Sequence, residues 1–173
     1  METELILHHY WPSPFAHKIR LALAWAEISW SAVEIPRLLP KPLLMPLTAG
    51  YRRTPVLQVG ADIYCDTQNI ARYLGELKSA EKLFPKNSID QALIFSSWID
   101  QVVFPLCART VITLSIDTAP SEFIKDRGGL YFGSNWTEET LKSDLSSVIL
   151  QLIPQFQVID CGLKETGGLL GSS

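Results

Sequence analysis

The sequence is poor in positive charge and in cysteine. Lys and Arg total 15 of 173 residues against 18 Asp and Glu, and the formal net charge is -3. This balance argues against a broad basic surface for nucleic acid or an anionic membrane. The three cysteines, Cys65, Cys107 and Cys161, form no C-x-x-C pair and do not cluster with histidines. We therefore expect neither a disulfide framework nor a metal site.

Long apolar runs are also missing from the sequence. The N-terminal stretch METELILHHYW lacks the basic flank and long apolar core of a signal peptide, and no run approaches the roughly 18 apolar residues of a membrane span. We find no internal repeat. The sequence therefore predicts a soluble protein of a reducing compartment, the cytoplasm, with no membrane or nucleic-acid partner.

Strand-like and helix-like patterns alternate at the start of the chain. Residues 5–10 are a short apolar run, 14–27 carry apolar residues at helical spacing, and 29–35 are β-branched and aromatic. The order strand, helix, strand predicts a right-handed crossover between parallel strands. The next segment, 36–50, contains four prolines and cannot form one regular helix.

A hairpin and a helix follow. Pro55–Val59 and Asp62–Cys65 flank Gly60-Ala61, a pair suited to a tight turn. A helix is predicted after Asp66-Thr67, with its apolar residues on one face. The first 78 residues therefore predict one α/β domain, followed by a polar linker over 79–87.

Residues 88–173 have a wholly helical pattern. Ser88 and Gln91 fit a capping box that starts a long helix, which we expect to bend at Pro105. A second helix is predicted to begin near Thr137, and Pro154 is expected to kink or shorten it. Two long helices seldom make a closed bundle, so further helices are expected beyond Ser173, and the helical domain is predicted to be incomplete.

The stretch YWPSPFAHKIR places Ser13 where the first strand turns into the first helix. Ser13 is a good helix N-cap, and Pro14 suits the first helical position. Two further residue pairs stand at predicted element starts. Thr54-Pro55 opens the third strand, and Asp66-Thr67 opens the last helix of the domain. Strand ends and helix starts of such a unit can share one sheet edge, so the three features can face a common groove.

Three strings resemble the glutathione transferase family: SPFAHKIRLAL, RRTPVLQVGADIYCDTQNIARYL and the linker ending KLFP. The resemblance implies a thioredoxin-like α/β domain followed by an all-α domain. It implies a transferase that uses glutathione as cosubstrate, without a metal, against a small apolar electrophile. It also implies a homodimer.

Carried over residue by residue, the resemblance implies that Thr54-Pro55 is a cis peptide and that Thr54 binds the cysteinyl part of glutathione through its backbone. Asp66 and Thr67 would hold the γ-glutamyl end. Ser13 would be the catalytic residue, donating a hydrogen bond to the ligand's thiolate, and Phe15 would also lie against the ligand.

Alternatives exist for several of these roles. Tyr10 is a rival catalytic hydroxyl at the end of the first strand. Lys41 is a candidate partner for the glycyl carboxylate, against an ordinary solvated lysine. A redox enzyme is disfavoured because residues 13–16 contain no cysteine, whereas a non-catalytic binding or interaction module with the same fold remains the main alternative function.

Overall fold

The structure is a computed structural model that describes residues 4–77, 83–84 and 88–166. The chain divides into two compact units after Leu93. The predicted linker at 79–87 lies largely outside the described residues. The predicted domain boundaries, 1–78 and 88–173, stay a prediction.

The first unit contains a four-stranded sheet in the order β2-β1-β3-β4. β1 and β2 are parallel, whereas β3 is antiparallel to both β1 and β4. The predicted parallel crossover and the hairpin at Gly60-Ala61 are therefore confirmed. The elements are β1 (Leu5–His9), α1 (Pro14–Trp25), β2 (Ser31–Glu34), β3 (Val56–Val59), β4 (Asp62–Cys65) and α2 (Thr67–Glu76).

The core of this unit joins the two central strands to the two helices. Apolar residues four apart lie on one face of each helix, as the helical period requires. Each fully buried aliphatic side chain contributes about 1.5–3 kcal/mol relative to an exposed one. The buried members of this cluster are Leu7, Ile19, Leu23, Leu57, Ile70 and Leu74.

The proline-rich segment after β2 folds as a series of turns, as predicted. Turns run without a break from Pro42 to Gly50. Leu44 anchors the segment, because it is fully buried in a second cluster with Ile35 and Val56. The segment therefore packs beside the start of β3.

The second unit is helical. α3 (Ile89–Trp98) crosses the division between the units and continues as a π-helical segment (Ile99–Val103) before α4 (Phe104–Ser115), α5 (Ser121–Tyr131) and α6 (Glu138–Thr166). The sequence predicts a bend of the long helix at Pro105, and the structure has this π-helical segment just before that proline. Proline has no N–H to donate, and just before it the Phe104 N–H donates to the Ile99 carbonyl.

Two features of the helical unit bear on the sequence prediction. Pro154 lies inside α6, which continues to Thr166, so it does not shorten the helix, and the alternative of a kink there stays a prediction. Helix α5 was not predicted, because its Gly128-Gly129 pair has low helix propensity. Gly128 has a packing role: a Cβ there would stand 2.0 Å from the Trp136 ring, so only glycine fits. Trp136 in turn packs on a cluster that contains Ile112, Ile116, Ile124 and Leu141.

The helical run from Ile89 to Ser115 passes a length and hydropathy test for a membrane span. Its most apolar window of 18 residues has a mean hydropathy of 1.2 and is 17% buried. The expectation that no stretch of the chain approaches such a span is wrong by this test. Core helices of soluble proteins pass the same test, so the result is weak evidence for a membrane.

Candidate active site at the sheet edge

Strand register determines which chain segments meet at one edge of the sheet. His8 of β1 pairs with Val56 at the start of β3, and Val56 pairs with Cys65 at the end of β4. The residues that follow β1, precede β3 and follow β4 therefore emerge at the same edge. These residues are Tyr10 to Ser13, Thr54-Pro55 and Asp66-Thr67, the three sequence features that carried the functional prediction.

Ser13 is the N-cap of α1. Its backbone is extended (φ -72°, ψ 120°), and its Oγ accepts a hydrogen bond from the Ala16 N–H at 3.2 Å. The Ser13 N–H donates to the Tyr10 carbonyl at 3.1 Å, and the residue is 2% exposed. A hydroxyl has one donor and two acceptor positions. Ser13 can therefore cap the helix as an acceptor while its proton serves another acceptor.

Thr54 and Pro55 precede β3. Their peptide bond is cis, as is that of Leu39-Pro40. Pro55 is buried and Thr54 is half-buried. The pair adjoins Val56, which is fully buried between β1 and β4. The backbone of Thr54 therefore lies at the sheet edge next to a rigid core residue.

Asp66 is the N-cap of α2 and has an unusual backbone. Its φ is 73°, a value that residues with a side chain rarely adopt, and its Oδ1 accepts from the Gln68 N–H at 2.8 Å. Such outliers cost about 1–3 kcal/mol and cluster at ligand sites. Asp66 is exposed and Thr67 is buried. The start of α2 thus combines an exposed carboxylate residue with a buried hydroxyl residue.

Asp66 also raises the pKa of two neighbouring groups. Burial raises the pKa of the Tyr51 phenol, Asp66 raises it further, and Arg53 opposes the rise. Burial and Asp66 both raise the pKa of the Cys65 thiol. Cys65 therefore stays protonated near neutral pH and does not supply a reactive thiolate at this edge.

Lys41 reaches this region from the proline-rich segment. It is 4% exposed, and its Nζ donates to the Arg52 carbonyl at 2.9 Å. The same Nζ lies 5.6 Å from the centre of the Tyr10 ring. The alternative of an ordinary solvated lysine is therefore wrong. Lys41 links the residues after β1 to those before Thr54.

The remaining candidates lie beside Ser13. Tyr10 and Phe15 are half-buried, and the Lys18 ammonium lies 5.6 Å from the centre of the Phe15 ring. Their assigned roles stay predictions. Among the residues that the structure describes, no group of three or more His, Cys, Asp or Glu side chains could hold a metal ion.

Two residues near the site were missed in the sequence. Arg20 of α1 donates to the Nδ1 of His9 at 3.1 Å and to the Trp11 carbonyl at 3.0 Å. His9 is fully buried at the end of β1. Helical periodicity places Arg20 on the side of α1 away from the apolar face. No sequence motif links Arg20 to His9. The sequence offers one weak signal for this contact. A charged residue stands one to two turns into a helix that follows a buried histidine.

Comparisons with known proteins show which family the first unit is similar to. Residues 12–77 match the family model "Glutathione S-transferase, N-terminal domain". The probable glutathione S-transferase parA of Nicotiana tabacum is 27% identical over 105 residues, which cover 59% of this chain and 48% of that protein. A GST-like protein from Pseudomonas syringae is 43% identical in its crystal structure, with a TM-score of 0.54, over 68% of this chain and 41% of that one.

A more complete fold match is the theta class glutathione S-transferase of Xanthomonas axonopodis pv. citri, solved with glutathione bound. It has a TM-score of 0.69 at 16% identity and covers 99% of this chain and 75% of that one. The thioredoxin-like α/β unit followed by a helical unit is thus the fold of this family. The chain is similar to glutathione S-transferases, through a family model that covers residues 12–77. It spans about half the length of the curated relatives it matches.

Proposed function

We propose that the chain binds glutathione at the sheet edge and activates its thiol for conjugation to a small apolar electrophile. The observation that carries the proposal is the strand register that brings Ser13, the Thr54-Pro55 peptide and Asp66-Thr67 to one edge. The names of relatives with bound glutathione support the same ligand.

The ligand has three parts, and each has a candidate partner here. The Thr54 backbone can pair with the cysteinyl residue in the manner of an added strand. Asp66 offers a carboxylate to the γ-glutamyl ammonium, and the start of α2 favours the neighbouring carboxylate. The Lys41 ammonium donates to the Arg52 carbonyl, close to Thr54 in the chain. It is our candidate for the glycyl carboxylate.

Ser13 acts on the sulfur as a hydrogen-bond donor. A thiol with a pKa of about 8.5 is only about 3% ionised at pH 7. A charge-assisted hydrogen bond contributes about 1.5–3 kcal/mol in favour of the thiolate, and the start of α1 adds about 0.3–1 kcal/mol. Together they lower the thiol pKa by about two units. The thiolate then attacks the electrophile, forms the C–S bond and expels the leaving group.

The test measures glutathione conjugation to an activated chloronitroarene by the wild type and by Ser13→Ala, Ser13→Thr and Tyr10→Phe variants. We expect Ser13→Ala to lose about tenfold to a hundredfold in kcat, because it removes the donor to the thiolate. Ser13→Thr keeps both cap and donor and retains activity, and Tyr10→Phe stays near the wild type.

Full activity in Ser13→Ala together with loss in Tyr10→Phe would move the role to Tyr10. Wild-type protein that binds glutathione and conjugates nothing would instead support the non-catalytic binding module. We also propose, on the family's general pattern, a cytoplasmic homodimer. Size-exclusion chromatography with light scattering tests the dimer directly.

A further inference from the structure

Arg20 connects three residues around the segment that carries Ser13. Its Nη1 donates to the His9 Nδ1 at 3.1 Å, and its Nη2 donates both to the Trp11 carbonyl at 3.0 Å and to the His17 Nδ1 at 3.2 Å. The guanidinium carbon also lies 4.9 Å from the centre of the Trp11 ring. One side chain of α1 therefore holds the end of β1 and the backbone of the turn that follows it.

His9 is a rigid partner for this guanidinium. An arginine can only donate, so the His9 Nδ1 must accept and the neutral ring carries its proton on Nε2. Burial lowers the pKa of His9, and the nearby Arg20 charge lowers it further, which keeps the ring neutral. The rings of Trp11 and Trp30 lie edge-on to His9, with centroids at 4.9 and 5.6 Å. The position of Arg20 is therefore fixed by a packed ring.

The turn between β1 and α1 is consequently held at three points. The Tyr10 carbonyl accepts from the Ser13 N–H, the Trp11 carbonyl accepts from Arg20, and the Ser13 Oγ accepts from the Ala16 N–H. The Arg20 contact ties the backbone of the turn to a side chain of α1, and the Lys41 ammonium lies near the Tyr10 ring. Pro12 and Pro14 restrict the backbone on either side of Ser13.

We propose that Arg20 is a positioning residue that fixes the 10–13 segment and thereby the place of the Ser13 hydroxyl. The catalytic consequence rests on the proposed function. A displacement of about 1 Å at a reacting group can cost about a hundredfold in rate. Arginine suits the role because its planar fork reaches two acceptors at once, whereas the single ammonium of lysine cannot hold both in the same geometry.

The experiment compares Arg20→Gln and Arg20→Lys with Arg72→Gln, a control that removes an exposed arginine from α2 of the same unit. Amide hydrogen exchange at Ser13 and at β3 (56–59), the ultraviolet titration of the bound glutathione thiol, the glutathione Kd, and kcat are measured for each. Thermal unfolding of each variant shows whether it is folded at the assay temperature.

In Arg20→Gln we expect about tenfold faster exchange at Ser13 with unchanged exchange in β3, because only the turn is released. We expect kcat to fall about tenfold to a hundredfold and the bound thiol to titrate at higher pH, with the Kd within about threefold of the wild type. Arg20→Lys should show the same changes in exchange, kcat and thiol titration with smaller magnitudes. Arg72→Gln should match the wild type.

Unchanged exchange at Ser13, or an equal rise in the turn and in β3, would overturn the proposal. An unaltered titration of the bound thiol alongside a lowered kcat would overturn its catalytic part. If Arg20→Gln does not fold, Arg20→Lys decides by the same criteria. A wild type that binds no glutathione would refute the proposed function, and the exchange data would still decide whether Arg20 fixes the turn.

Discussion

The two units of the chain differ in what they bury and what they expose. The first unit buries polar residues close to its sheet edge, His9, Ser13, Lys41 and Thr67 among them. Buried polar groups are costly unless they are hydrogen-bonded, so such a concentration marks a region under functional constraint. The candidate site therefore belongs to the first unit on physical grounds as well as by resemblance.

Among the described residues, the helical unit buries fewer polar side chains, Thr113 and Arg127. Its buried cluster is small, and α6 exposes large apolar side chains at Ile149, Leu150, Ile153, Phe156 and Val158. Isolated apolar residues on a surface are normal, whereas several on one helix are less common. The comparison indicates that the helical unit depends on a few core residues.

The largest expected effect concerns that cluster. Leu141→Ala removes a side chain that is 1% exposed and should lower the free energy of unfolding of the helical unit by about 2–5 kcal/mol, since it leaves a cavity. Urea unfolding followed by exchange of α4 and α6 amides measures the loss. Leu150→Ala, at a residue 69% exposed, is the matched control and should change stability by less than about 0.5 kcal/mol. Equal losses of unfolding free energy in both variants would contradict the inference that the helical unit depends on a few core residues.

A smaller effect concerns the buried polar residues of the first unit. The pKa of His9 is lowered by burial, so below about pH 6.5 the unfolded chain binds a proton that the folded chain does not. Stability is full above that pH and falls as pH decreases toward the lowered pKa, by at most about 1.4 kcal/mol per pH unit.

His9→Asn provides the matched variant for this pH effect. Its amide oxygen keeps an acceptor near the Nδ1 position but does not titrate, so the difference between wild type and variant isolates His9. Exposed His17→Asn serves as control. Parallel stability curves of wild type and His9→Asn from about pH 7 to pH 5 would contradict the assignment.

Much of the fold could be predicted because it follows local periodicity. The strands, the crossover and the hairpin each have a signal within a few residues, and the proline-rich segment excludes a regular helix by chemistry alone. Helix α5 could not be found this way. Of its two glycines, Gly128 is explained by the Trp136 ring that packs on it, a contact from outside the helix, and nothing in the structure explains Gly129.

The candidate site likewise has a part that the sequence predicts and a part that it does not. Ser13, Thr54-Pro55 and Asp66-Thr67 stand at predicted element boundaries, so the sequence can place them at one edge. The Lys41 hydrogen bond and the Arg20 contacts with His9 and Trp11 depend on groups 9 to 11 residues away in the chain, and no periodic pattern encodes them. The positive φ of Asp66 has no signal in the sequence, because a glycine is the usual marker of that backbone.

Calorimetric titration of the wild-type chain and of Asp66→Asn with glutathione measures whether the sheet edge binds this tripeptide. We predict saturable binding to the wild type with a Kd of about 1 μM to 1 mM, the range of ordinary enzyme substrates. Asn still caps α2 but lacks the charge, so Asp66→Asn should bind at least about tenfold more weakly. The dipeptide Cys-Gly, which lacks the γ-glutamyl group, should not distinguish the two proteins. Absence of saturable binding to the wild type, or equal affinity of both proteins for glutathione, would contradict the account.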